Sequence, residues 1–310
     1  MSKIAFLFPG QGAQKVGMGK EIYENFEIAR TFLDEADEQM DFDLKNLIFN
    51  SPLEQLSETE YTQPALVAVE LMILKVLAEK GISPDVLAGF SLGEYTALVA
   101  AGALSPLDAV KLVRERGKIM ATALPKGTSA MAAVLGMGSE SLQALCAEVG
   151  ELGVVEIANY NCPGQLVIGG ERDAVEKVSE LAISHGARKV IPLNTSGAFH
   201  TSLLKEASEQ LRPHLEQIGF KALAVPVIFN QTATYQDQPI VKLMMAQVSS
   251  PVLFEDSIRK MLADGVDTFI EIGPGRTLTG FIKKVDRKTT FYQVEDVAGV
   301  NELLKELRRS

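Results

Sequence analysis

The chain has 310 residues, 46% of them hydrophobic and 23% charged, with a mean hydropathy of +0.11, which is ample for a large buried core and excludes the polar composition of a disordered chain. Thirty Lys and Arg against forty Asp and Glu leave a net charge of −10, a field that disfavours nucleic acid and anionic membrane as partners. Cys146 and Cys162, the only cysteines, are too few for a disulfide framework and lack CxxC spacing for zinc, so a reducing, cytoplasmic setting is expected.

In chain order, the apolar run at residues 4–8 stops at Pro9-Gly10; it reads as a buried strand and is too short for the core of a signal peptide. The next apolar tract, residues 65–77, is interrupted by Glu70 and Lys75 and falls short of the roughly 20 residues that span a bilayer. Residues 86–90 form a second strand-like run, followed by helical periodicity. Between residues 126 and 194 the pattern becomes strand (130–135), helix (139–149), strand (154–158), strand (165–169), helix (172–184) and strand (189–193). That βαββαβ order predicts a small ferredoxin-like domain. Its entry at Leu124-Pro125-Lys126-Gly127 and exit near Leu193-Asn194-Thr195-Ser196-Gly197 are both rich in turn-forming residues. Strand-like runs at 225–229 and 268–272 follow, and residues 300–310, with paired Glu and Lys/Arg, read as a solvated helix frayed at its end. The expected fold is α/β: a large α/β-hydrolase-like domain with a mostly parallel sheet (residues 1–125 and 195–310) carrying the inserted small domain (126–194).

Chemistry is concentrated at a few points. Gly89-Phe90-Ser91-Leu92-Gly93 lies between a strand and a helix, the context in which a G-x-S-x-G turn presents a nucleophilic serine at a helix start. A serine nucleophile needs a base, and only His185, His200 and His214 are available. His185 closes a polar helical stretch and reads as a C-terminal cap; His214 follows Pro213 in a charged helix and reads as surface. His200, in the small-residue loop Ser196-Gly197-Ala198-Phe199-His200 at the domain junction, is the candidate base. The Gly-rich Phe8-Pro9-Gly10-Gln11-Gly12-Ala13-Gln14 lacks both the Lys-Ser/Thr ending of a P-loop and the dinucleotide fingerprint, which disfavours nucleotide binding; it would instead supply an oxyanion N–H. Cys162 has no sequence neighbour that would depress its pKa and reads as packing.

These motifs, with Tyr61-Thr62-Gln63-Pro64-Ala65, Arg116-Gly117 and Met120, Met131-Ala132-Ala133-Val134-Leu135-Gly136, Ala158-Asn159-Tyr160-Asn161, Pro163-Gly164-Gln165 and Glu271-Ile272-Gly273-Pro274-Gly275, together resemble the malonyl-CoA:acyl-carrier-protein transacylases of fatty acid synthesis. The resemblance runs in order over nearly the whole chain, and the same family includes acyltransferase domains of polyketide synthases. It implies ping-pong transfer from malonyl-CoA to the phosphopantetheine thiol of acyl carrier protein by a monomer, with no metal or redox cofactor. It implies Ser91 as nucleophile, His200 as base, and the backbone N–H groups of Gln11 and Leu92 as the oxyanion hole. The main-chain carbonyl of Gln247 would orient the histidine, and Arg116 would clamp the malonyl carboxylate, with Gln63, Asn161 and Gln165 in support. Two other readings stand beside it: a serine esterase or thioesterase using the same Ser91 and His200, and a carrier-docking scaffold without catalysis. For carrier docking, Arg188, Lys189, Arg276, Lys283 and Lys284 are the candidate cations.

Overall fold

The computed structural model describes residues 2–307. Its strands in chain order are β1 (Ile4–Phe8), β2 (Val86–Gly89), β3 (Ser129–Leu135), β4 (Val155–Cys162), β5 (Gln165–Glu171), β6 (Lys189–Pro192), β7 (Val227–Phe229), β8 (Thr234–Tyr235), β9 (Val252–Leu253), β10 (Thr268–Ile272) and β11 (Thr290–Val294). Six of them form one sheet in the order β11-β10-β1-β2-β7-β8, parallel throughout except for the β7–β8 pair. The uninterrupted apolar runs of β1 and β2 follow from helices covering both faces of this sheet. Register sets the site: Phe8 of β1 pairs with Gly89 of β2, and the Phe90 N–H donates to the Phe8 carbonyl at 2.8 Å. The loops leaving β1 and β2 therefore emerge side by side at the carboxyl edge of the sheet, where ligands bind in open α/β folds.

The 21-residue helix Thr59–Glu79 is long and apolar enough to cross a membrane, but 78% of its most apolar window is buried inside the molecule; it is a core helix. It packs against the helix Pro106–Thr122, and Gly117 is the reason the two can touch. A Cβ there would stand 2.8 Å from the Glu60 Cα and 2.9 Å from the Thr59 carbonyl oxygen. That close approach brings Arg116 alongside Gln63.

The second sheet runs β6-β3-β5-β4-β9. Its first four strands are antiparallel neighbours in the ferredoxin-like order, as the βαββαβ pattern predicts. The fifth, β9, lies outside residues 126–194 and pairs parallel with β4. Alternation gives this sheet two faces. Ala132, Val134, Leu166 and Ile168 pack beneath the helices Ser139–Glu148 and Arg172–Ser184, while Met131, Ala133, Gln165 and Val167 face a cavity. On β4 a bulge between Ile157 and Asn159 shifts the register. Val155 and Ile157 accordingly lie on the helix side, yet Asn159 and Asn161 face the cavity, a switch of face that one extra residue produces. The sequence pattern ends this strand at residue 158, whereas pairing with β5 carries it on to Cys162. The short strands β8, β9 and β11 have no counterpart in the sequence reading, since runs of two residues or half-polar runs carry little periodic signal. A helix, Val297–Leu307, closes the described chain; the frayed end expected at 308–310 lies outside the described residues.

Candidate active site

Ser91 sits on the turn between β2 and the helix Gly93–Ala100 with φ 51°, a left-handed conformation that a non-glycine residue holds only under constraint. Two features impose it. Asn230, the residue after β7, accepts the Ser91 N–H through its Oδ1 at 2.6 Å, and its Nδ2 donates to the Gly89 carbonyl. The flanking glycines allow the turn to close: a Cβ on Gly89 would stand 2.0 Å from the Gly93 carbonyl carbon, and one on Gly93 would stand 2.1 Å from the Phe8 carbonyl oxygen.

His200, also at positive φ (61°) and buried, places its Nε2 2.7 Å from Ser91 Oγ. Its Nδ1 lies 2.8 Å from the Gln247 carbonyl oxygen. A carbonyl only accepts, so Nδ1 carries the proton and the Nε2 lone pair faces the serine hydroxyl. Burial pushes the His200 pKa down to about 4, and the Arg116 cation adds to that; the ring is neutral at neutral pH and free to accept a proton.

Arg116 is 1% exposed. Its Nη1 donates to Gln63 Oε1 at 2.8 Å, and its Nη2 donates to Gln247 Oε1 at 2.9 Å and to Ser91 Oγ at 3.2 Å. The guanidinium lies over the Tyr95 ring, 5.4 Å from its centroid, and its Nε is buried with no hydrogen-bond partner among the described residues. All three acceptors are neutral. Burial lowers the Arg116 pKa from its ordinary value, the direction expected of a desolvated cation.

Ser91, His200 and Arg116 line one cavity of about 260 Å³ with Gln11, Leu92, Met120, Asn159, Asn161, Gln165 and Phe199. Leu92 is the cap residue of the helix that Gly93 opens, and Gln11 is held from the other side by its amide, which donates to Thr59 Oγ1 at 3.1 Å. Asn161 presents a buried Oδ1 without a partner among the described residues. Gln165 accepts from Lys284 Nζ at 2.9 Å, tying the β4–β5 hairpin to the helix Thr277–Val285. Gln63 does not line the cavity; it reaches the site through Arg116. Away from the site, His185 caps the helix Arg172–Ser184, His214 is half-buried in the helix Lys205–Ile218, and Cys162 is buried with its pKa raised.

Three participants escape the sequence reading: Asn230, Glu94 and the side chain of Gln247. The Gln247 amide Nε2 donates both to the Ser91 carbonyl at 2.9 Å and to Glu94 Oε2; the Asn230 N–H donates to Glu94 Oε1 at 2.9 Å. Asn230 was open to discovery as the first residue beyond a predicted strand of the parallel sheet. Nothing local marks the other two.

Residues 5–307 match the family described as acyl transferase domain. The chain belongs to the acyl transferase family. Among acyl transferase relatives, the malonyl CoA-acyl carrier protein transacylase of Bacillus subtilis is 49% identical, over 99% of this chain and 98% of that protein. A solved malonyl CoA-acyl carrier protein transacylase from Clostridium perfringens superposes with a TM-score of 0.96 at 42% identity, covering 99% of this chain and 98% of that one. A malonyl-transacylase solved in complex with a type II polyketide synthase acyl carrier protein superposes with a TM-score of 0.96 at 37% identity, covering 98% of this chain and all of that one.

Proposed function

We propose that this acyl transferase moves a malonyl group from malonyl-CoA to the phosphopantetheine thiol of an acyl carrier protein, supplying fatty acid synthesis, through a malonyl-serine intermediate. The observation that carries the choice of acyl group is Arg116: a buried guanidinium whose hydrogen-bond acceptors are neutral, 3.2 Å from Ser91 Oγ. A desolvated cation that donates only to neutral acceptors favours an incoming anion, and a carboxylate's planar pair of oxygens suits the guanidinium fork.

In the first half-reaction Ser91 Oγ attacks the thioester carbonyl while its proton passes to His200 Nε2, 2.7 Å away. The tetrahedral oxyanion is received by the backbone N–H groups of Gln11 and Leu92. As the C–S bond breaks, His200 returns the proton to the departing CoA sulfur. In the second half the carrier's thiol gives its proton to His200, its sulfur attacks the malonyl-serine carbonyl, and Ser91 leaves carrying the proton. The histidine is oriented by a neutral carbonyl, that of Gln247, and both stages are relayed by a ring that is neutral between turnovers. The chemistry calls for nothing beyond the thioester donor and the thiol acceptor, and Asn161 Oδ1 offers the acyl-pantetheine chain an acceptor in the cavity.

Intact-mass measurement after mixing with malonyl-CoA, then with holo carrier protein, tests this reading. The parent should gain one malonyl group and lose it to the carrier. Ser91→Ala should gain none while keeping its fold, and His200→Ala should acylate about 10² to 10⁴ times more slowly. Full malonylation of the alanine variant at position 91 would overturn the assignment; release to water in preference to the carrier would return the enzyme to the esterase class.

A further inference from the structure

Among the described residues no carboxylate hydrogen-bonds to His200, yet a carboxylate lies within the same hydrogen-bond network. Glu94, three residues after the nucleophile and in the first turn of its helix, is 1% exposed. Its two oxygens are used separately. Oε2 accepts from Gln247 Nε2, and Oε1 accepts from the Asn230 N–H. Each of those partners reaches the reacting groups. Gln247 offers its carbonyl to His200 Nδ1, its Oε1 to Arg116 Nη2 and its remaining amide hydrogen to the Ser91 carbonyl. Asn230 fixes the Ser91 N–H and the Gly89 carbonyl. An acid in a first turn also suits the helix dipole, but that benefit is available to an exposed side chain and does not account for a buried one.

We propose that Glu94 is a positioning residue for acyl transfer: through Gln247 and Asn230 it holds the orienting carbonyl of His200, the inward nitrogen of Arg116 and the strained amide of Ser91 in register. The inference rests on the proposed transfer reaction and extends it. Polarity explains why the acid cannot be replaced by its amide. Gln247 Oε1 is committed to Arg116, so its Nε2 must face position 94, and a second amide NH2 there would set donor against donor unless it turned toward the Asn230 N–H, where it would meet another donor. Only a group that accepts at both atoms satisfies the site. Burial pushes the Glu94 carboxyl up to about 7 in spite of these hydrogen bonds and the pull of Arg116, so the network is maintained at a cost that packing alone would not require.

The test is single-turnover acylation by malonyl-CoA at saturation, read by quenched-flow intact mass in the parent, Glu94→Gln, Gln247→Met and the double variant. Loss of a hydrogen bond to a charged group predicts a rate constant about 10-fold to 100-fold lower for Glu94→Gln, with full amplitude and a nearly unchanged half-saturating concentration. Gln247→Met removes the same link from its other end, so the double variant should be no slower than the slower single variant. An unchanged rate constant in Glu94→Gln overturns the proposal, as does lost amplitude at an unchanged rate, which would mark a purely structural role. If Glu94→Gln does not fold, a parent-like rate in Gln247→Met overturns the proposal alone; if it folds, a double variant whose losses multiply overturns it as well. Failure of the parent itself to acylate would instead overturn the transfer reading.

Discussion

At the scale of one residue, the proposed carboxylate clamp Arg116 is what would separate a malonyl transferase from a general acyl hydrolase. A malonyl carboxylate entering this cavity leaves water and must find its compensation in the guanidinium, whereas acetyl carries no such demand. Removing a buried, hydrogen-bonded charge partner costs roughly 2 to 5 kcal/mol, so Arg116→Ala should lower malonyl transfer by about 30-fold to several thousand-fold. Arg116→Lys should recover only part, because one ammonium cannot hold Gln63, Gln247 and Ser91 as the fork does. Acetyl-CoA should be used as well as before or better. The quantity to measure is the ratio of kcat/KM for malonyl-CoA to that for acetyl-CoA; the same ratio in parent and variant would place carboxylate recognition elsewhere.

At the scale of the element, the strand-turn-helix of β2, Ser91 and the helix Gly93–Ala100 is a device for holding a serine at positive φ, and its glycines are steric requirements. The backbone of β1 stands where a Gly93 side chain would be. Gly93→Ala should therefore cost about 3 kcal/mol or more, since neither neighbour is a flexible side chain that can step aside. Gly138 is a fair control: it precedes the helix Ser139–Glu148 with φ −77°, and among the described residues nothing beyond its chain neighbours lies within 4 Å of its would-be Cβ. Thermal unfolding should show a large fall for Gly93→Ala and almost none for Gly138→Ala; equal effects would mean that the elbow yields more easily than its geometry implies.

Over the whole molecule, burying opposite kinds of titratable group in one site shapes the response to pH. Glu94, raised from 4.5 to about 7, contributes stability that is fully present below its unfolded pKa and is lost as pH rises through 7. His200, depressed from 6.5 to about 4, contributes stability present above 6.5 and lost as pH falls through 4. Each swing is on the order of 3 kcal/mol, and between pH 4.5 and 6.5 the two oppose one another. Relative to the parent, Glu94→Gln should lose stability more steeply on acidification from pH 6.5 to 4, and His200→Gln should gain on acidification from pH 7 to 4.5. Urea midpoints across that range are the measurement, and three parallel curves would contradict it. Charge also matters at the surface: on a chain of net charge −10 local cations would steer the docking proposed for the carrier. Arg276 and Lys283 line a small polar concavity on and before the helix Thr277–Val285, whose other residues Thr277, Leu278 and Phe281 face the catalytic cavity. Reversing Arg276 and Lys283 to Glu should weaken transfer to the carrier in a salt-dependent way and spare acylation; Lys284 is left in place because it holds Gln165 of the catalytic cavity. Equal loss of both half-reactions would remove this surface from docking.

The sequence by itself determined the layered α/β plan, because buried strands and amphipathic helices differ in hydrophobic period. It determined the antiparallel unit because the βαββαβ order has few compact solutions. The sequence also marked Ser91, His200 and Arg116 as candidates, which the structure brings together: G-x-S-x-G is a local steric statement, only three histidines compete, and the arginine sits in a motif. What the chain order could not convey is anything assembled from three strands at once. Asn230, Glu94 and the Gln247 amide meet only because β1, β2 and β7 stand in neighbouring places with a common carboxyl edge, and their partners are 131 to 156 residues apart. The face of β4 that carries Asn159 and Asn161 was decided in the same way, by a bulge that exists only once β4 is paired with β5. Period and motif are properties of neighbours along the chain; hydrogen-bond partnership and register are properties of neighbours in space, and only folding creates those.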